Sequence, residues 1–238
     1  MKSIQTIPGL RIAIDGPSGS GKGTIAKTLG EFLQLPVLDT GLLYRFVAWR
    51  AINSATAPED EEALVALLQS SQKKLVWNCE GIFFGGNKCN AELRSEAVAA
   101  VASSVASLQG VRRALLSLQQ TVAKAGCIMD GRDVGTVVLP DAEAKFFLTA
   151  SQRERARRRW MQLREKGDDN SSIEAILNEM KTRDARDASR DIAPLLKSDD
   201  AIFIDSTTMR PDEVIDRILA ILERRKLIIL NNQVETYP

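Results

Sequence analysis

The segment that most constrains this chain is Gly16-Pro17-Ser18-Gly19-Ser20-Gly21-Lys22-Gly23-Thr24, set between the apolar run Leu10–Ile14 and a helical pattern near 22–34. Gly16-x4-Gly21-Lys22 is the spacing of a loop that wraps phosphates, in the strand-to-helix setting such a loop requires. Glycines let backbone N–H groups turn inward. Lys22 brings a positive charge to the β- and γ-phosphates, and the helix that follows aims its positive end at them. The plain alternative is a glycine-rich turn with no ligand, which this setting disfavours.

Around that loop, apolar runs at Leu10–Ile14, Pro36–Leu38, Cys127–Met129, Ala144–Leu148 and Ala201–Ile204 alternate with helical patterns. The patterns fall near 22–34, 41–53, 58–70, 91–108, 111–125, 151–166, 171–188 and 211–226. Such alternation predicts an α/β fold, a P-loop NTPase-type parallel five-stranded sheet flanked by helices. Pro211 before Asp212 and Glu213 is a good helix opening. One stretch, 73–93, reads instead as two or three short antiparallel strands turning at Glu80-Gly81 and Gly85-Gly86-Asn87. It predicts a small β insert. The tail after Ile229 is expected to fray.

Composition narrows the chemistry. The 238 residues are 44% hydrophobic and 26% charged, enough for one large domain with an insertion. There is no histidine, which removes Ser–His and Cys–His nucleophile pairs and imidazole acid–base catalysis. Cys79, Cys89 and Cys127 lie far apart, indicating neither a zinc knuckle nor a disulfide framework. With 32 basic and 31 acidic residues, bulk charge favours neither nucleic acid nor a membrane as partner. The start lacks a secretory pattern and no apolar run approaches ~18 residues. The expectation is a cytoplasmic protein, and a monomer in the absence of any long exposed heptad.

Further charged residues stand at predicted strand ends and on helices. The hydroxyl usual after the loop lysine is replaced by Gly23 and arrives at Thr24. That variant resembles the nucleoside monophosphate kinases, and leaves magnesium more dependent on phosphates, water and a nearby carboxylate. Asp39-Thr40-Gly41 ends the second run, and Arg45 sits one turn into the next helix, within reach of an acceptor phosphate or in a surface ion pair. An aspartic-protease reading of Asp39-Thr40-Gly41 conflicts with so many helices. Asp130, Arg132 and Asp133 close the third run, where an acid commonly faces a metal through water; a cap or turn role for Asp130 is the alternative. Arg153, Arg155, Arg157, Arg158, Arg159 and Arg164 crowd one helix, as a solvated face, a nucleic-acid stripe or a lid over phosphates. Arg183, Asp187 and Arg190 share one helical stripe, which surface pairing alone also explains.

Taken together, IDGPSGSGKGT, LDTGLLYR, MDGRDVGTVVLPDA, RERARRR, RDARDASRDIAPL and DAIFIDSTTM resemble the bacterial cytidylate kinases over nearly the whole chain. The resemblance implies phosphorylation of CMP and dCMP by ATP with Mg2+. It implies a core at 1–40, 111–152 and 191–238, an acceptor-binding domain at 41–110 containing the insert, and a helical lid with flanking helices at 153–190. ATP would lie on the loop from Gly16 to Thr24, with Arg155 and Arg158 from the lid. Arg45, Arg132 and Arg190 would clamp the acceptor phosphate, Arg183 and Asp187 would meet the sugar, and Ser103, Arg112 and Asp133 would read cytosine. Lys22, Arg132, Arg158 and Arg190 would then serve catalysis. Thr40, on the acceptor side, stands in place of a serine and keeps the hydroxyl, while Leu42 stands in place of a small residue, which predicts crowding of the pocket. Rival readings are a kinase for UMP, AMP or shikimate, and a GTPase-like switch suggested by Asn87-Lys88-Cys89-Asn90, which lacks the aspartate of NKxD.

Overall fold

The computed structural model describes residues 3–165, 167, 171–188 and 194–231. From the N-terminus, β1 (Ser3–Thr6) leads to β2 (Arg11–Asp15), the phosphate loop and α1 (Lys22–Leu33). Next come β3 (Val37–Asp39), α2 (Gly41–Asn53) and α3 (Glu61–Ser71). A hairpin-like insert follows: β4 (Leu75–Asn78), β5 (Gly81–Phe84), β6 (Asn87–Lys88), then the single turn α4 (Asn90–Leu93). The chain continues through α5 (Glu96–Val105), α6 (Gln109–Ala123) and β7 (Cys127–Gly131), which runs into a π-helical turn at Val134–Val138. It ends with β8 (Ala144–Thr149), α7 (Gln152–Glu165), α8 (Ile173–Ala188), β9 (Ile202–Asp205), α9 (Pro211–Arg224) and β10 (Ile228–Asn231).

The central sheet has five parallel strands in the order β3-β7-β2-β8-β9. These are the five predicted runs. Their side chains alternate between two cores, as the period of a strand dictates. Leu10, Ile12, Ile14, Ile128, Phe146 and Leu148 face one side, packed under α1 and α9. Ala13, Leu38, Cys127 and Met129 face the other, where α2, α3, α5 and α6 close over them. The insert is tied into this second core, because Trp77, Ile82, Cys89 and Leu93 are buried in the same cluster. Its three strands are antiparallel, in the order β4-β5-β6.

Several expectations change. The helix expected over 91–108 is broken at Arg94-Ser95, because the Ser95 hydroxyl accepts from the Val98 N–H at 3.4 Å and starts α5 afresh. Similarly, Asp60 accepts from the Ala63 N–H at 3.0 Å and delays α3 to Glu61. The tail does not fray directly after Ile229. Leu230 pairs with Ile4 and Asn231 with Ser3 in a two-stranded antiparallel ladder, and Ile228 is buried against the α1–α9 core. Residues 232–238 lie outside the described residues. Leu42, at the start of α2, is buried in the apolar core. Among the described residues, no helix is long and apolar enough to cross a membrane.

Candidate functional site

The carboxyl ends of β2, β3 and β7 converge on one crevice, the place where open α/β sheets bind ligands. The phosphate loop leaves β2 with Gly16, Gly19 and Gly21 at positive φ of 148°, 73° and 92°. At Gly16 a side chain is impossible, because a Cβ would run into the Leu148 carbonyl of β8. Lys22 is the first residue of α1 and is buried, with its ammonium donating to the Pro17 carbonyl at 3.0 Å. The lysine is thus held folded over the loop it serves. A cavity of about 490 Å³ opens beside Gly19, Ser20, Gly21 and Thr24 and reaches Arg158 on α7 and Ser206 after β9.

A second cavity, of about 240 Å³, collects Thr40, Arg45, Ser103, Arg112, Arg132 and Asp133. Six candidates from four separate sequence regions therefore meet in one space. Thr40 is buried, and its hydroxyl and its N–H donate to the Asp130 carbonyl at 2.9 and 3.1 Å, tying β3 to β7. Arg45 donates to the Leu93 carbonyl at 3.0 Å, and burial lowers its pKa from the usual guanidinium value. The Ser103 hydroxyl is buried with no protein partner and borders this cavity. Arg112 and Asp133 form a close, buried ion pair, while Arg112 also donates to the Ala106 carbonyl at 2.8 Å and lies over the Tyr44 ring. Arg132 donates to the Gly131 carbonyl at 3.2 Å.

Asp130 stands between the loop and this cavity. Its carboxylate lies 3.4 Å from where a Cβ on Gly23 would sit, so the missing side chain leaves it room. Burial first, and the Asp39 carboxylate second, hold its pKa above the ordinary range, while Lys22 and Arg132 pull the other way. Crowded carboxylates beside a phosphate loop suit a divalent cation bound through water and phosphate oxygens. Among the described residues, no cluster of three or more acidic or cysteine side chains forms a ready-made metal cage.

The arginines of α7 divide by position. Arg158 donates to the Ser20 carbonyl at 3.3 Å and to the Ser206 hydroxyl and carbonyl at 3.0 and 2.6 Å, along the wall of the first cavity. The Arg155 guanidinium is taken up by protein: the Ala150 carbonyl at 3.0 Å, the Ser18 carbonyl at 2.9 Å and Asp184 of α8 at 2.6 Å. Arg159 and Arg94 went unassigned in the sequence. Arg159 borders the first cavity and a third of about 720 Å³ that reaches Ser18, Arg45 and Ser103. Arg94 stands at the break before α5, pairs with Asp39 at 3.6 Å and borders the second cavity. Its place was hidden by reading one helix through that break. Arg183 and Asp187 belong to α8 by backbone, but their side chains, like the whole of Arg190, lie outside the described residues.

The family model described as Cytidylate kinase matches residues 12–224. This chain belongs to the cytidylate kinase family. The cytidylate kinase of Pseudomonas entomophila is 46% identical over 222 residues, covering 91% of this chain and 97% of that one. The cytidylate kinase of Caldicellulosiruptor bescii is 43% identical over 213 residues, covering 88% and 94%. A crystal structure of an uncharacterized Eubacterium ventriosum protein shares the fold, with a TM-score of 0.50 and 17% identity over 91% of this chain and 99% of that one. Family membership selects among the readings that the phosphate loop alone leaves open.

Proposed function

We propose that this cytidylate kinase family member transfers the γ-phosphoryl group of ATP directly to CMP or dCMP. The observation that carries the reading is the buried Arg112–Asp133 pair in the cavity beside the phosphate loop. A carboxylate there accepts from the cytosine 4-amino group and repels the O4 acceptor of uracil, while the guanidinium supplies donors to the ring. Ser103, with its free hydroxyl, completes the base site.

The remaining roles follow from position and chemistry. Residues Gly16 to Thr24 cradle the ATP phosphates, with Lys22 on the transferred group and Arg158 closing over it from the lid. Arg155 serves the nucleotide site by holding α7 to Ser18 of the loop. Arg45 and Arg132, with Arg190, clamp the acceptor phosphate; Thr40 shapes its floor, and Arg183 with Asp187 meets the sugar. Asp130 is the carboxylate placed to hold Mg2+ through water. Held there, the ion would supply positive charge that offsets the charge developing on the transferred phosphoryl group.

No strong base is needed. The acceptor phosphate is already anionic, and one of its oxygens attacks the γ-phosphorus as the bond to the β–γ bridging oxygen breaks, releasing ADP. Alignment and charge neutralisation by Lys22 and the arginines then supply the catalysis. That is consistent with a chain containing no histidine. The working unit in this reading is a monomer.

The test is kcat/KM for CMP and UMP on wild type and Asp133→Asn. An amide rotates to donate toward O4 or accept from N4, so the variant is expected to lose CMP efficiency and narrow the CMP/UMP ratio. A carboxylate oxygen set against the uracil O4 in place of the cytosine amino group corresponds to about 1–3 kcal/mol, roughly tenfold or more. An unchanged ratio would remove Asp133 from base recognition.

A further inference from the structure

Asp15 has no part in the chemistry above, yet it is a buried carboxylate at the end of the strand that feeds the phosphate loop, with 5% of its surface exposed. Nothing in its immediate sequence calls for an acid at that depth, and an unpaired one is costly. Its two oxygens are both used. One accepts from the Val134 N–H at 2.9 Å and the other from the Gly135 N–H at 2.7 Å. These are the two residues directly after Asp133, at the start of the π-helical turn Val134–Val138. The contact is at long range in sequence, 119 and 120 residues away.

The π turn has an unusual need for such a partner. Like any helix start, it leaves its first N–H groups without intrahelical acceptors, and here they point into the protein interior. A carboxylate that takes two of them satisfies the donors with charge-assisted bonds and fixes the turn against β2. Asp133, one residue upstream, has its carbonyl accepting from the Val137 and Val138 N–H groups at 2.9 and 3.2 Å, so its backbone is part of the same turn. Its side chain leaves the turn against Arg112. The space around Asp15 is tight: a Cβ on Gly135 would lie 3.3 Å from the Asp15 carboxylate and 3.2 Å from the Lys145 side chain. The arrangement admits little slack.

We infer that Asp15 is a positioning residue for acceptor choice, which, by gripping the Val134 and Gly135 amides, sets the direction in which Asp133 and Arg112 meet the base. The inference rests on the reading of Asp133 and Arg112 as the base-recognising pair. It adds that the strand leading into the donor loop also fixes the acceptor's specificity. The donor and acceptor sites therefore share one anchor at the end of β2, and a shift of the loop strand is passed to the base site through two hydrogen bonds. A merely structural role would weaken stability or affect both nucleotides alike. A positioning role separates them.

The test uses Asp15→Asn, which keeps the shape but replaces one of the two acceptor oxygens by a donor facing a donor. In the folded variant, KM for CMP is expected to rise about tenfold or more and the CMP/UMP ratio of kcat/KM to narrow by a similar factor, with KM for ATP moving less than threefold. Gly135→Ala, whose Cβ would press on the same carboxylate oxygen and on the Lys145 side chain, is expected to shift the ratio in the same direction, and it carries the test if Asp15→Asn does not fold. A folded variant whose ratio stays within twofold of wild type, or whose ATP KM rises as much as its CMP KM, overturns the inference. Amide hydrogen exchange separates this failure from failure of the base-reading assignment. Exchange at Val134 and Gly135 is expected to accelerate at least tenfold in Asp15→Asn whatever the acceptor, and unchanged protection there overturns the inference by itself.

Discussion

Lys22 is buried at the first position of α1 with its ammonium on the Pro17 carbonyl, so the loop backbone itself holds the lysine in place. Lys22→Ala removes the positive charge at the transferred phosphate without opening a large cavity in either core. A fall in kcat of about 10²-fold or more is expected, with the circular dichroism spectrum unchanged. Near-normal turnover by a folded variant contradicts the loop assignment. Asp15 gives a prediction of a different kind. Burial is the largest influence on it and raises its pKa from 3.8 to about 6, although the Gly135 and Val134 N–H groups pull it down. An acid whose pKa is raised by folding holds its proton more tightly in the native state. Its contribution is therefore fully favourable below pH ~4 and is lost as pH rises through about 6. Relative to Asp15→Asn, wild type should lose up to about 3 kcal/mol of stability between those limits, read by urea unfolding at several pH values. A parallel pair of curves contradicts the assignment. The loop residues were legible because their spacing is local. The partner of Asp15 was not, because a carboxylate gripping two amides more than a hundred residues away leaves no local trace.

Helices were legible by period and misjudged at their ends, where single side chains decide. Ser95 restarts a helix that hydrophobic pattern alone carries through to residue 108, and the break is what delivers Arg94 to the acceptor cavity. The π-helical turn after Asp133 was invisible for a related reason: its sequence, Val-Gly-Thr-Val-Val, has the composition of a strand. Helix α7 shows how an element acts through one residue. Arg155 joins three pieces, donating to Ser18 of the phosphate loop and to the Ala150 carbonyl while pairing with Asp184 of α8. Its side chain and that of Asp184 are both largely buried, and removing one partner of such a pair leaves a charge uncompensated. Arg155→Ala is expected to raise KM for ATP about tenfold or more and to speed tryptic cleavage between α7 and α8. Unchanged values of both contradict the lid's dependence on that arginine.

At the scale of the molecule, the five parallel strands were legible because each is a short apolar run beside a turn signal, and burial on both faces makes such runs continuous. The β1–β10 pair was not, since it joins the two ends of the chain and only tertiary packing of Ile4, Ile228 and Leu230 selects it. The same limit applies to the site. Motifs nominated the acceptor residues one at a time, but spacing alone did not bring Thr40, Arg45, Ser103, Arg112, Arg132 and Asp133 into a single cavity. The β insert is likewise joined to the core that backs this cavity, sharing one apolar cluster with α2, α5 and α6. The two cavities lie on either side of the loop strand, as phosphoryl transfer between two bound nucleotides requires. Transfer between two such sites makes ADP release depend on the acceptor. In a coupled assay with ATP and Mg2+, the protein should release ADP rapidly with CMP or dCMP, at least tenfold less efficiently with UMP, and negligibly with AMP, with shikimate or with no acceptor. Equal release with UMP or AMP, or steady hydrolysis that ignores the acceptor, contradicts it.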